Sequence, residues 1–160
     1  MSLSRIPAQH RKAARIAIAA SAACGPVGAF NSVADIASIA GIWGTCLCSI
    51  ASREGWGLDK ETAIDVCKSA LLGMSAYYVG CKTATRFFLL IPGAGLFAAM
   101  GISALTNVVF TYRFVLTVSG VFAENGSLRL ETLSENIKAM FKGNGALNDV
   151  KDITDIMLFA

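Results

Sequence analysis

One stretch limits what this chain can fold into. Between Arg86 and Arg113 there are 26 residues without a charge, Phe87 to Tyr112, and Pro92, Gly93 and Gly95 fall near the start of the run. About 20 apolar residues suffice for a helix to cross a bilayer core of roughly 30 Å. Proline removes a helical donor and clashes with the preceding turn, and glycine supplies the backbone freedom of a reversal. Together the signals predict a helical hairpin tipped by Pro92-Gly93-Ala94-Gly95. Its returning helix, Leu96 to Phe122, rises about 40 Å at about 1.5 Å per residue.

The same plan occurs earlier in the chain. Ile16 to Ala34 and Ile36 to Ser52 carry no charge, and between them lies only Asp35. Gly25-Pro26-Val27-Gly28 forms an uncharged apex, and Phe30 to Ser52 is long enough to span, at about 34 Å. A wet segment, Ser52 to Thr62, separates the halves, with glycines for a turn and Asp59 placed to cap the next helix. The phrases Leu-Asp-Lys-Glu-Thr (58 to 62) and Leu-Arg-Leu-Glu-Thr (128 to 132) add a short echo. The expected fold is all-α: two Pro-tipped helical hairpins forming a membrane-associated four-helix bundle over residues 1–125. Residues 9–57 and 58–125 are the two copies of an internal repeat, and 126–160 form a soluble tail of short amphipathic helices. In that tail Thr132 and Glu135 have capping-box spacing, and Val150, Ile153, Ile156 and Met157 form the apolar face of a last helix.

Composition agrees with a lipid environment. Apolar residues are 54% and charged residues 16%, against about 45–50% and about a quarter in soluble domains. A net charge of +3, unclustered, gives no footing for nucleic acid. The amino terminus has a basic start and an apolar middle like a secretory signal, but Pro7, Gln9 and His10 interrupt the basic part, and it reads as a retained first helix. Five cysteines without a C-x-x-C pair, and a single histidine, favour packing thiols over a metal or disulfide framework. No cofactor is expected.

Helical-wheel positions gather polar residues into narrow lines: Asn31, Asp35, Cys46, Ser49 and Arg53 on the second helix, and Glu61, Lys68, Ser75, Lys82 and Arg86 on the third. Gly95, Thr106, Arg113, Thr117 and Glu124 form the line on the fourth. Asp35 lies nine residues after Pro26, and Lys82 and Arg86 lie ten and six before Pro92, so hairpins inserted from one side bring these charges to similar depth. Asp35, Lys82, Arg86 and Arg113 are therefore the candidate intramembrane residues: either an ion path or a neutralising pair within a bundle. Arg113 also has the position of an interface anchor. Trp56 suits an aromatic belt, and Trp43 suits core packing. No acid or base stands in sequence to activate a nucleophile, so an enzyme is not expected. Both apices are free of charge, which puts the amino terminus, the middle loop and the carboxyl terminus on the cytoplasmic side.

These residues resemble a known family. The segments GPVGAFNSVADIASIAGIWGTCLCSIASREGWGLDKETA and YYVGCKTATRFFLLIPGAGLFAAMGISALTNVVFTYRF, together covering most of Gly25 to Phe122, are similar to YcjF-like and EcsC-like bacterial membrane domains. The resemblance implies an α-helical domain of the bacterial inner membrane without catalysis of its own. Such domains are often joined to a small Era-like GTPase, but no G-x-x-x-x-G-K-[ST] phosphate loop occurs here, so a GTPase would have to be a separate partner chain. The functional expectation is a homo-oligomer in membrane lipid, a channel or pore-like assembly. The alternative is a non-transporting anchor or scaffold that docks a cytosolic partner through Arg53, Trp56 and Asp59.

Overall fold

The computed structural model describes residues 5–74, 89–125, 129–140 and 146–159. It is all-helical, with no strand among the described residues. The helices are α1 (Ala8–Ala23), α2 (Gly25–Phe30), α3 (Ser32–Arg53), α4 (Lys60–Gly73), α5 (Gly95–Asn125), α6 (Leu130–Ala139) and α7 (Ala146–Phe159).

The first apex is built differently from a bare turn. α1 stops at Cys24, and Pro26 sits in the first turn of α2, where its missing N–H is not needed. Asn31 then goes extended, and its side chain accepts from the amides of Val33 and Ala34 to start α3. The glycines of this apex are required by packing: a Cβ on Gly25 would lie 2.6 Å from the Ala104 Cβ, and one on Gly28 would lie 2.6 Å from the Ser103 hydroxyl. At the second apex Gly93 has φ +81°, the left-handed region that favours glycine, and Gly95 opens α5. Asp59 caps α4 as its position predicts, accepting from the Thr62 amide at 2.8 Å. α4 ends at Gly73 with Met74 as its cap, and residues 75–88, Lys82 and Arg86 among them, lie outside the described residues.

α1 runs antiparallel to α5, with Gly25 beside Ala104 at one end and His10 bonded to Ser119 at the other. α3 lies alongside α5 in the same direction, from Asp35–Asn107 to Trp43–Thr111, and α3 packs extensively on α4. The core lies between them. Ile39, Trp43, Leu47 and Ile50 of α3 meet Phe114, Val115 and Val118 of α5, and Trp43 stacks on Phe114 with ring centroids 4.4 Å apart. Two helices, Val33–Arg53 and Gly95–Ala123, are long and apolar enough to cross a membrane. In the second, 39% of the apolar window is buried, and Leu96, Phe97, Ile102 and Leu105 are exposed.

The tail joins this bundle. α6 packs on α4 and α5, and α7 on α5 and α1. Two sequence expectations change here. α6 begins at Leu130, two residues ahead of Thr132, so the capping-box spacing is not used as a cap. α7 turns its acids inward: Asp149 and Asp152 are buried beside Ile156, while Val150 and Met157 are exposed. The cause is ion pairing, since Arg5 and Arg113 wait on the facing surface.

Packing at the glycines yields a paired test. Gly44 lies 2.9 Å, measured from an added Cβ, from the Ile64 backbone, whereas Gly41 faces open space. Gly44→Ala should destabilise by about 1–3 kcal/mol through overpacking. Gly41→Ala should be neutral or stabilising by up to about 1 kcal/mol through helix propensity. Thermal denaturation of both variants in mild detergent checks the contrast.

Candidate functional site

The feature that sets this bundle apart is a row of polar side chains on the buried face of α5. Ser103, Asn107, Thr111 and Ser119 are each at most 2% exposed. Successive residues four apart rotate about 40° around a helix axis, so the row winds across α5 and meets different neighbours along its length. Ser103 faces Gly28 of α2. Asn107 donates to Asp35 Oδ1 of α3 at 3.1 Å. Thr111 accepts from the Trp43 indole at 2.9 Å, and Ser119 pairs with His10 Nδ1 of α1 at 3.0 Å.

Asp35 anchors the apical end of this row. Its side chain is fully buried, and a Cβ on Gly28 would come within 2.7 Å of its carboxylate. Gly28 thus lets the first apex close over an acid, and a larger residue there would displace the carboxylate. Burying a carboxylate demands strong hydrogen bonds, and Asn107 supplies one.

The opposite end is an acid, an imidazole and a hydroxyl in sequence. Glu54 Oε1 lies 2.7 Å from His10 Nε2, and His10 Nδ1 lies 3.0 Å from Ser119 Oγ. Gln9 donates to the same carboxylate at 3.3 Å. The hydrogen bonds from Gln9 and then His10 hold the Glu54 carboxyl below its ordinary range. This is the order of groups that activates a nucleophile in many hydrolases. Here Ser119 is 2% exposed and His10 1%, so the hydroxyl is presented to the core. What the arrangement does is fasten α1, the turn after α3 and the far half of α5 together.

A second cluster fastens the tail. Arg5 reaches Asp149 at 2.7 Å and Asp152 at 3.3 Å, and Arg113 reaches Asp149 Oδ2 at 2.7 Å. The Tyr112 hydroxyl donates to Asp152, and the Arg5 guanidinium sits 5.6 Å from the Tyr112 ring centroid. Arg113, 14% exposed at its side chain, is thus engaged by the tail within the protomer. Asp149, 4% exposed at its side chain, offers Arg113 a nearly dry carboxylate.

Of the residues singled out by sequence, Asp35 and Arg113 are in different clusters, and Pro26, Gly28, Pro92, Gly93 and Gly95 form the two apices. Arg53, Trp56 and Asp59 are exposed on and beside the loop after α3, with Trp56 38% exposed. The polar line of α3 is divided: Asp35 is fully buried and the Cys46 thiol, 4% exposed, points at the Ala13 carbonyl, whereas Asn31 and Arg53 at its two ends are exposed. On α5 the interior line is the row from Ser103 to Ser119, while Thr106 is turned outward and bonded to its own helix. His10, Glu54, Ser103, Asn107, Thr111 and Ser119 were not singled out. For the four on α5 the signal was their spacing in multiples of four along a largely apolar helix; for His10 and Glu54 the sequence held none. No family model, no curated protein and no solved structure matches the chain.

Two measurements follow from these bonds. Asn107→Ala removes a hydrogen bond to a buried carboxylate and should cost about 1.5–3 kcal/mol in unfolding experiments. Glu54 has a depressed carboxyl pKa in the folded protein, so its contribution is fully present above the unfolded value of about 4.3 and is lost as pH falls through the lower folded value. Glu54→Gln should therefore flatten the loss of stability in acid, read as a smaller change in Tm on moving from pH 5 to more acidic buffers.

Proposed function

We propose that the protein is a membrane anchor inserted from one side, holding a charged end at the cytosolic surface to dock a protein partner. The observation that carries this reading is the concentration of exposed large apolar side chains at the end formed by the two apices. Val27, Phe30 and Val33 surround the first, Leu90 and Ile91 belong to the second, and Leu96, Phe97, Ile102 and Leu105 follow on α5. Val33, Leu90 and Phe97 are each at least 75% exposed, and extensive exposed apolar surface marks contact with lipid or protein. The chain carries no charge from Ile16 to Ala34 or from Phe87 to Tyr112. Leu96 to Phe110 rises about 22 Å, more than a leaflet of about 15 Å and less than the whole hydrocarbon core. Insertion past the midplane without full crossing fits that length.

The opposite end is wet. It holds Arg5, Gln9, Arg53, Glu54 and Lys60, with Trp56 exposed among them. A bacterial inner membrane with both termini and the loop after α3 in the cytosol suits this polarity, as does the family resemblance. A separately encoded GTPase is the partner that resemblance suggests, with Arg53, Trp56 and Asp59 as its docking surface. The pore-like homo-oligomer draws less support, since Asn107 and Asp149 engage Asp35 and Arg113 inside one protomer.

Flotation with anionic vesicles tests the reading. The protein should float with the vesicles and resist a carbonate wash. Val33→Asp or Phe97→Asp, each placing a charge worth about 2.5–3.5 kcal/mol in the hydrocarbon, should weaken binding about 100-fold. Protein that stays soluble and monodisperse beside the vesicles would contradict it. Ion flux that disappears in Asp35→Asn while flotation persists would favour the pore.

A further inference from the structure

Away from the polar row, α1, α3 and α4 line an open groove of about 440 Å³. Its walls are Ala13, Ile16, Ala17 and Ala20 of α1, a strip of α3 from Ser38 to Cys46, and Lys60 and Ile64 of α4. The volume is within the range of small-molecule sites, about 300–1,000 Å³. Its space comes from small residues: the α1 wall is mostly alanine, and a Cβ added to Gly41 meets nothing within 4 Å.

The polar atoms along these walls are already committed. The Ser38 hydroxyl donates to the Ala34 carbonyl at 2.8 Å, Thr45 to the Gly41 carbonyl at 2.9 Å, and the Cys46 thiol to the Ala13 carbonyl at 3.8 Å. The groove therefore offers hydrocarbon walls to whatever enters. Lys60 is the exception, and it makes no ion pair among the described residues. A ligand matched to this surface carries a single apolar chain and one anionic group at the Lys60 end. The walls extend about 10 Å along α1 and α3, so part of the chain is enclosed and the rest continues toward the apolar end.

We infer that this groove binds a long-chain fatty acid, its carboxylate at Lys60 and its chain along Ala17 and Gly41. Binding here does not require the apices to enter lipid. The test uses the full chain in nanodiscs and a palmitate analogue bearing a chain diazirine, with cross-linked peptides mapped by mass spectrometry. Labelling of the Ala13–Ala20 and Ser38–Thr45 segments should saturate and be suppressed by excess palmitate. Hexadecanol, which lacks the charge, should compete about 5-fold less well, and Lys60→Gln should shift the saturation midpoint about 5-fold, the size of an exposed ion pair. Gly41→Leu and Ala17→Phe should abolish groove labelling, with helical content checked by circular dichroism. Lys60 is exposed, which keeps its substitution independent of core packing. Unsaturating groove labelling, equal competition by the alcohol, indifference to the groove-filling variants, or cross-links placing a second copy in the groove would each overturn the inference. Labelling near Val33 and Phe97 reports separately on the apolar end, so a failed anchor reading and a failed groove reading give different maps.

Discussion

The structure depends on hydrogen bonds made by a helix that carries no charge over most of its length. On the inner face of α5, Ser103, Asn107, Thr111 and Ser119 are withdrawn from water, and a buried polar group without a partner is costly. For Asn107, Thr111 and Ser119 the partner comes from another element: Asp35 and Trp43 from α3, and His10 from α1. Apolar contacts alone would let α5 slide against its neighbours with little penalty. A slip of one turn moves each polar group about 5.4 Å and separates these pairs together. The row therefore fixes the register of α1 and α3 on α5, and with it the position of both apices.

Fixing that register creates two unlike ends. At the first apex Gly25 and Gly28 pack closely against α5, and at this end Phe30, Val33 and Phe97 are exposed. Toward the other end, Glu54 completes the His10 pair, and the tail folds back so that Asp149 and Asp152 answer Arg5, Tyr112 and Arg113. These ion pairs join the first residues of the described chain to its last helix. Asp149 and Asp152 are nearly dry while Arg5 is 47% exposed, so the cost of desolvating the acids offsets part of the Coulombic gain of these pairs. The groove of α1, α3 and α4 lies between the two ends, with Lys60 on its wet side.

Much of this was legible in the sequence, and what escaped has a common cause. Uncharged runs and Pro-Gly pairs were enough to locate α3, α5 and both apices, because length and proline act locally. Asp59 as a cap was equally local. The first apex was read as a turn because Pro26 and the glycines are turn residues, but packing on α5 makes Gly25–Phe30 a helix. The inward acids of α7 were assigned to water because a lone amphipathic helix buries its aliphatic face; Arg5 and Arg113, 144 and 36 residues away, reverse that choice. His10 and Ser119 stand 109 residues apart, a separation at which no spacing rule in one sequence can pair them. Local chemistry was readable, whereas partners chosen by the tertiary fold were not.

The most direct measurement is the depth of the apical end in a bilayer. With Phe97→Trp in vesicles, fluorescence quenching by lipids brominated along the acyl chain should be strong at position 97. Native Trp56, at the wet end, should respond little, and Trp43 is shielded in the core. If the tryptophan at position 97 were as insensitive to brominated chains as Trp56, the apical end would lie in water, and the account of a one-sided anchor would be wrong.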